Sequence, residues 1–94
     1  MIIVAFHVEV EPGHEDTFIE GFKNRPKLVE EMKGFVSAEV VQNSASRNQF
    51  IVLNKWDSVA EFEAWTQSEA FSAAHQRSGV PTVSTRLEIH EVVA

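Results

Sequence analysis

Trp65 and His75, ten positions apart in the segment 61–77, are the residues whose types and spacing could do chemistry in this chain. A neutral imidazole is the commonest protein ligand of transition metals and the usual axial ligand of haem iron. Ser68 has the side chain to cap a new helix over 68–76, and in that helix Phe71 and His75 stand four apart on one face. Ala73 and Ala74 leave space beside the imidazole, so a flat ligand such as haem could rest on the helix flank. Near the helix end the macrodipole favours the imidazolium, so iron would compete with a proton at a cost of about 1 kcal/mol.

Each of these residues also has a plainer account. Phe62 and Trp65, at i and i+3, make an ordinary core stripe, and a lone histidine on a helix is commonly a satisfied structural side chain. Arg77 has the fork geometry to pair with a carboxylate such as a haem propionate, yet a basic residue closing a helix needs no ligand. His7, His14 and His90 show no metal-ligand spacing: neither His7 with Glu9 nor His90 with Glu88 supplies a third partner. Glu15 and Asp16 fall in a first helical turn, where carboxylates stabilise the helix dipole. No Gly-rich phosphate loop or nucleophile elbow occurs.

The elements that must position these residues read as strand, helix, strand, strand, helix, strand. β-Branched content makes 2–10 a strand, ended by the turn signal Glu11-Pro12-Gly13. A helix over about 14–32 carries Phe18, Phe22, Val29 and Met32 as its apolar stripe and stops at Gly34. Pro26 divides or kinks it near Arg25, because proline removes a helical hydrogen bond and crowds the preceding turn. Strands 35–42 and 49–56 form a hairpin around a polar loop, Ser58 and Glu61 form a capping box for the next helix, and 85–93 is the last strand. The β-α-β-β-α-β order defines an α+β, ferredoxin-like fold in one domain, residues 1–94.

Composition narrows the function classes. The 94 residues carry 14 acidic against 8 basic side chains, a formal charge of −6, with the basic residues scattered; a nucleic-acid surface is not expected. There is no apolar run of about 18 residues, no leader pattern and no cysteine, so no membrane partner, disulfide or thiolate chemistry is expected and the cytoplasm is the default location. The strands add a constraint. In 2–6 and 50–53 both parities are apolar, whereas a sheet with helices on one face should alternate with polar residues. Another copy's sheet is the economical cover for the second face, giving a sheet-on-sheet homodimer or a barrel closed across two chains, with an undivided monomer as the plainer alternative.

The element order, the Pro12-Gly13 turn, the Met32-Lys33-Gly34-Phe35 junction, the Lys55-Trp56-Asp57-Ser58 strand end and the Trp65, Phe71, His75 series together resemble the antibiotic biosynthesis monooxygenase (ABM) superfamily. That resemblance spans essentially the whole chain and implies dimeric α/β barrels of ferredoxin-like subunits. Within it, the spacing of Trp65 and His75 is similar to that of bacterial haem-degrading monooxygenases. It implies His75 as proximal ligand of the haem iron and Trp65 as the bulky neighbour that presses the porphyrin out of plane. In those relatives an Asn on the first strand orients dioxygen on the distal side; counting back from Pro12-Gly13 puts Phe6 at that position, a departure from the pattern. His7 is adjacent, but the strand's period of two turns it to the opposite face.

Three functions follow. The first is a haem-binding, haem-degrading monooxygenase with His75 and Arg77 holding the haem, Trp65 against the ring and Phe6 lining the distal side. The second is a cofactor-free oxygenase converting a phenolic or anthrone-like substrate to a quinone, with Trp65, His75, Asn54 or His7 as candidates to assist proton loss. The third is a small-molecule-binding dimer without catalysis.

Overall fold

The computed structural model describes residues 1–24, 28–68 and 80–94. Strand β1 (Ile2–Val10) ends at a turn in which Gly13 takes a φ of 99°, a conformation that suits glycine. The chain then enters helix α1 (Glu15–Lys23) through His14, whose side chain makes no cap; the Glu15 carboxylate instead accepts the Gly13 N–H at 2.8 Å. The sequence predicts a helix over 14–32 kinked or divided near Arg25; α1 stops at Lys23, and a 3-10 turn, Leu28–Glu31, stands where the second part was expected to be helical. Arg25 and Pro26, where the division was expected, lie outside the described residues. Strands β2 (Phe35–Gln42) and β3 (Gln49–Trp56) form the expected hairpin, and helix α2 (Val59–Thr66) follows.

At the start of α2, Ser58 Oγ accepts the Glu61 N–H at 3.4 Å and donates to the Glu61 carboxylate at 3.2 Å. The box therefore closes on the Ser58 hydroxyl, with the carboxylate turned to the side chain instead of the Ser58 N–H. Gly34, at a φ of 86°, accepts the Asp57 N–H at 2.8 Å, and a Cβ there would run into the Glu61 side chain. Gly34, Asp57, Ser58 and Glu61 thus latch the beginning of α2 to the junction before β2.

Strand β4 runs Thr82–Glu91, where the sequence predicts 85–93. Pairing with β1 explains the shift: Glu91 meets Ile2 at one end, and at the other the register slips between Glu9 and Val10 so that Thr82 still finds a partner. The four strands form one antiparallel sheet in the order β2-β3-β1-β4, the ferredoxin-like arrangement. The helix expected over 68–76 falls, beyond Ser68 itself, outside the described residues. No helix among the described residues is long and apolar enough to cross a membrane.

Both helices and the 3-10 turn pack on one face of the sheet. There the core divides into two clusters. Ile2, Val4, Trp56 and Trp65 gather around Val29 of the 3-10 turn, flanked by Met32, Phe35 and Phe62. Val8, Val10 and Phe50 form the other beneath Phe18 and Ile19 of α1, with the Phe18 and Phe50 rings 4.6 Å apart. Trp56 is wholly buried and meets Phe35 and Phe62 edge to face, at 5.5 and 6.0 Å between centroids.

Candidate functional site

Between those two clusters the described residues leave part of the helix-covered face uncovered. The register puts Leu87, Phe6, Val52 and Val40 in one row across β4, β1, β3 and β2, and Ile89, Val4, Asn54 and Ala38 in the next. Side chains in the middle of a central strand should be the best covered, yet Phe6 and Val52 are only half-buried, while Leu87 and Ile89 on β4 are 52% and 43% exposed. Among the described residues the partly covered side chains Phe6, Val52, Leu87 and Ile89 outline an apolar trough across the sheet, with Val4 belonging to the first cluster and Phe6 and Val40 packed against the second. On the β2 side, sharing Ala38 and Val40, lies an open groove of about 410 Å³ lined by Ile19, Phe22 and Lys23 of α1, Ala38, Glu39, Val40 and Gln42 of β2, and Phe50 of β3. Volumes of about 300–1,000 Å³ with mostly apolar walls are those of small-molecule sites.

Two polar groups interrupt this surface. Asn54, half-buried on β3, makes no side-chain hydrogen bond among the described residues. Trp56, two residues on and on the same face, has a buried indole Nε1 with no hydrogen-bond partner. The two do not satisfy each other.

The opposite, helix-free face has a different character. Ile3, Ala5, Ile51 and Leu53 occupy its centre, with Ala5 buried and the others half-buried. Towards β4 the register brings in a set of charges that sequence distance concealed. Glu88 Oε1 lies 2.8 Å from His7 Nε2 and 3.5 Å from His90 Nε2, and Arg86 Nε lies 3.7 Å from Glu88 Oε2. A carboxylate only accepts, so His7 Nε2 carries the proton in its bond to Glu88, and Arg86 Nη2, 3.4 Å from the same nitrogen, is a neighbour and not a donor to it. That hydrogen bond, aided by Arg86 and His90, holds the Glu88 carboxyl below the usual carboxylate range against the opposing effect of partial burial. A shallow concavity of about 400 Å³ beside this set is lined by His7, Val41, Ile51 and Arg86. Among the described residues no group of three or more His, Cys, Asp or Glu side chains is arranged to hold a metal ion.

Of the residues singled out in the sequence, Phe6 lies on the floor of the trough, and Trp65, 7% exposed, is packed into the cluster with Ile2, Val4, Val29 and Trp56. His7 faces away from both, on the helix-free side, as the period of two requires. Phe71, His75 and Arg77 lie outside the described residues. Sequence reasoning missed the set around Glu88, in which His7 and Glu88 are 81 residues apart. The available signal was the pairing of the first and last strands of a ferredoxin-like sheet, which brings His7 and Arg86 onto one rung.

Comparison with known proteins agrees with this architecture. The family model of the antibiotic biosynthesis monooxygenases matches residues 1–77. Haem-degrading monooxygenase of Bacillus thuringiensis (strain Al Hakam) is 35% identical over 81 residues, covering 84% of this chain and 75% of that protein. The same enzyme of Bacillus mycoides (strain KBAB4) is 35% identical over the same length. Among solved structures, a Bordetella bronchiseptica protein superposes with a TM-score of 0.87 at 17% identity, over 99% of this chain and 97% of that one. The haem-degrader MhuD of Mycobacterium tuberculosis, with two haems in its active site, superposes with a TM-score of 0.86 at 24% identity, over 100% of this chain and 97% of that one. These two likenesses establish the fold.

Proposed function

Because the chain belongs to the antibiotic biosynthesis monooxygenase family, we propose that it is a haem-degrading monooxygenase, with haem as both cofactor and substrate. The observation that carries this reading is the 35% identity to haem-degrading monooxygenases across 84% of the chain. The described residues fit such a ligand. Phe6, Val52, Leu87 and Ile89 offer a flat apolar floor, the groove under α1 extends it past Phe22, and Lys23 stands where a propionate would reach solvent. His75 would be the axial ligand, Arg77 a second propionate partner, and Trp65 the aromatic mass behind the macrocycle. Bound haem would supply the iron that activates dioxygen and the meso carbon that is oxidised. The protein's share is to hold the ring, keep its faces dry and orient what binds beside it.

The same proposal takes residues 1–94 as one domain and closes the helix-free face with a second copy. Ile3, Ala5, Ile51 and Leu53 in the middle of that face support a sheet-on-sheet homodimer, because a solvated antiparallel sheet would carry polar residues there.

One observation favours a second reading. Phe6, at the position where the haem-degrading pattern has an Asn, leaves the first strand with no donor towards the trough. A cofactor-free oxygenase of phenolic substrates needs an apolar pocket and a single polar group to handle a proton, and Asn54 stands beside it.

A haemin titration followed by Soret absorption, with ascorbate then added in air, separates the two. Haem degradation predicts a saturable, shifted band at one haem per subunit that decays after ascorbate, and its loss in His75→Ala. A stable band would mean a haem carrier. Only the broad absorption of aggregated haemin would overturn the haem reading and leave the cofactor-free one.

A further inference from the structure

We propose that the second copy docks on the helix-free face about a two-fold axis running across the strands, between the rung of Ala5 and the rung of His7, so that Glu88 of each copy pairs with Arg86 of the partner subunit; this deepens the homodimer reading above and rests on it. The register selects the axis. Four successive rungs of that face carry charge of alternating sign: Lys55 beside Ile3, then Glu39 and Glu88 flanking Leu53 and Ala5, then Arg86 in line with Val41, Ile51 and His7, then Glu9. Successive rungs of one face are about 7 Å apart along the strands.

In an isologous contact one patch meets itself, so the axis decides which rung lies over which. Midway between the Ala5 and His7 rungs, it lays each of these over the other and the Ile3 rung over the Glu9 rung. Each charged rung then meets one of opposite sign. The same axis sets Leu53 over Ile51 of the partner subunit, and the small Ala5 over the partner's His7. Other placements bring like charges together. An axis on the Ala5 rung stacks Glu88 on the partner's Glu88, one on the His7 rung stacks Arg86 on the partner's Arg86, and one along the strands lays Glu39 over the partner's Glu88. Like charges facing each other across an interface are strongly unfavourable, so charge fixes the register while the apolar centre supplies affinity. Arg86 has capacity to spare for such a partner. Its Nε is 3.7 Å from Glu88 Oε2 of its own chain, beyond hydrogen-bond reach, and its side chain is 66% exposed, so the guanidinium fork can take a second carboxylate.

Charge exchange, followed by sedimentation velocity and native mass spectrometry, tests this register. Arg86→Glu and Glu88→Arg should each weaken self-association at least about tenfold, because each sets like charge on like twice across the axis. Mixed in equal amounts, the two variants should form a heterodimer of near-parental affinity. The double exchange, Arg86→Glu with Glu88→Arg, keeps opposite charges within its own chain; it should dimerise with itself and refuse to exchange with a 15N-labelled parent. With a dimeric parent, single variants that associate as the parent does, a mixture that stays monomeric, or free exchange between the double variant and the parent would each overturn the register alone. Should a single variant not fold, the exchange experiment with the double variant decides by itself. A monomeric parent would overturn the homodimer reading and the register together.

Discussion

The two faces of the sheet are made from alternate residues of the same four strands, and each is left unfinished in its own way. The helix-covered face is tightly packed at both ends, around Trp56 and around Phe50, and apolar in middle rows that the described residues cover incompletely. The helix-free face is apolar in the middle and ionic towards β4, where Glu88 draws in His7, Arg86 and His90. A narrow apolar gap between packed walls suits a flat small ligand. A broad apolar centre edged by charges is the anatomy of a protein interface. The difference teaches that one strand's two parities can serve two separate partners, so that substitutions one residue apart should affect different properties.

The largest expected effect comes from removing a wall of the trough. Trp56→Ala should lower stability by about 3–5 kcal/mol, as large-to-small changes at wholly buried aromatic positions do, measured by urea unfolding. A loss below about 1 kcal/mol would mean that the packed end is not rigid enough to shape a site. Gly34→Ala tests the latch that holds α2 over the sheet. Its positive φ and the collision with Glu61 should together cost about 2 kcal/mol in the same assay, with a matching loss of haem affinity. An unchanged midpoint would show that the junction relaxes freely.

On the other face, Leu53→Glu should weaken self-association at least about tenfold, near 1.4 kcal/mol, by sedimentation velocity, while the haem-loaded Soret maximum stays in place. Unaltered association would remove the second copy from the account of that face. The smallest effect concerns Glu88. Its carboxyl is held below the usual range in the folded protein, so its contribution to stability is complete above the unfolded carboxylate value and is lost as pH falls through the lower folded value. Glu88→Gln should flatten that acid limb of the Tm-against-pH curve and leave the neutral region nearly unchanged. A difference confined to neutral or alkaline pH would contradict the assigned direction.

Much of this architecture is legible in the sequence because local rules and tertiary packing agree. The bounds of β1, β2 and β3 follow from β-branched runs between turn signals, and the period of two alone separates Phe6 from His7. Where they disagree the sequence is silent. Strand β4 begins at Thr82, directly after Pro81, in a polar stretch that is a strand because β1 offers it a partner. The Glu88 set depends on the same pairing, and no local pattern announces it. Asn54 is visible in the sequence as a polar residue within an apolar strand; its isolation becomes apparent once Val4 and Ala38 are known to be its neighbours.

The central claim, that haem lies in the trough of the helix-covered face, is tested most directly by a haemin titration of Leu87→Glu beside the parent. Leu87 is 52% exposed on β4, so a carboxylate there leaves the packed clusters intact and puts a negative charge on the trough floor. The account predicts a saturable Soret band in the parent and at least about tenfold weaker binding in the variant, near 1.4 kcal/mol. Equal affinity in the two proteins would place haem elsewhere and contradict it.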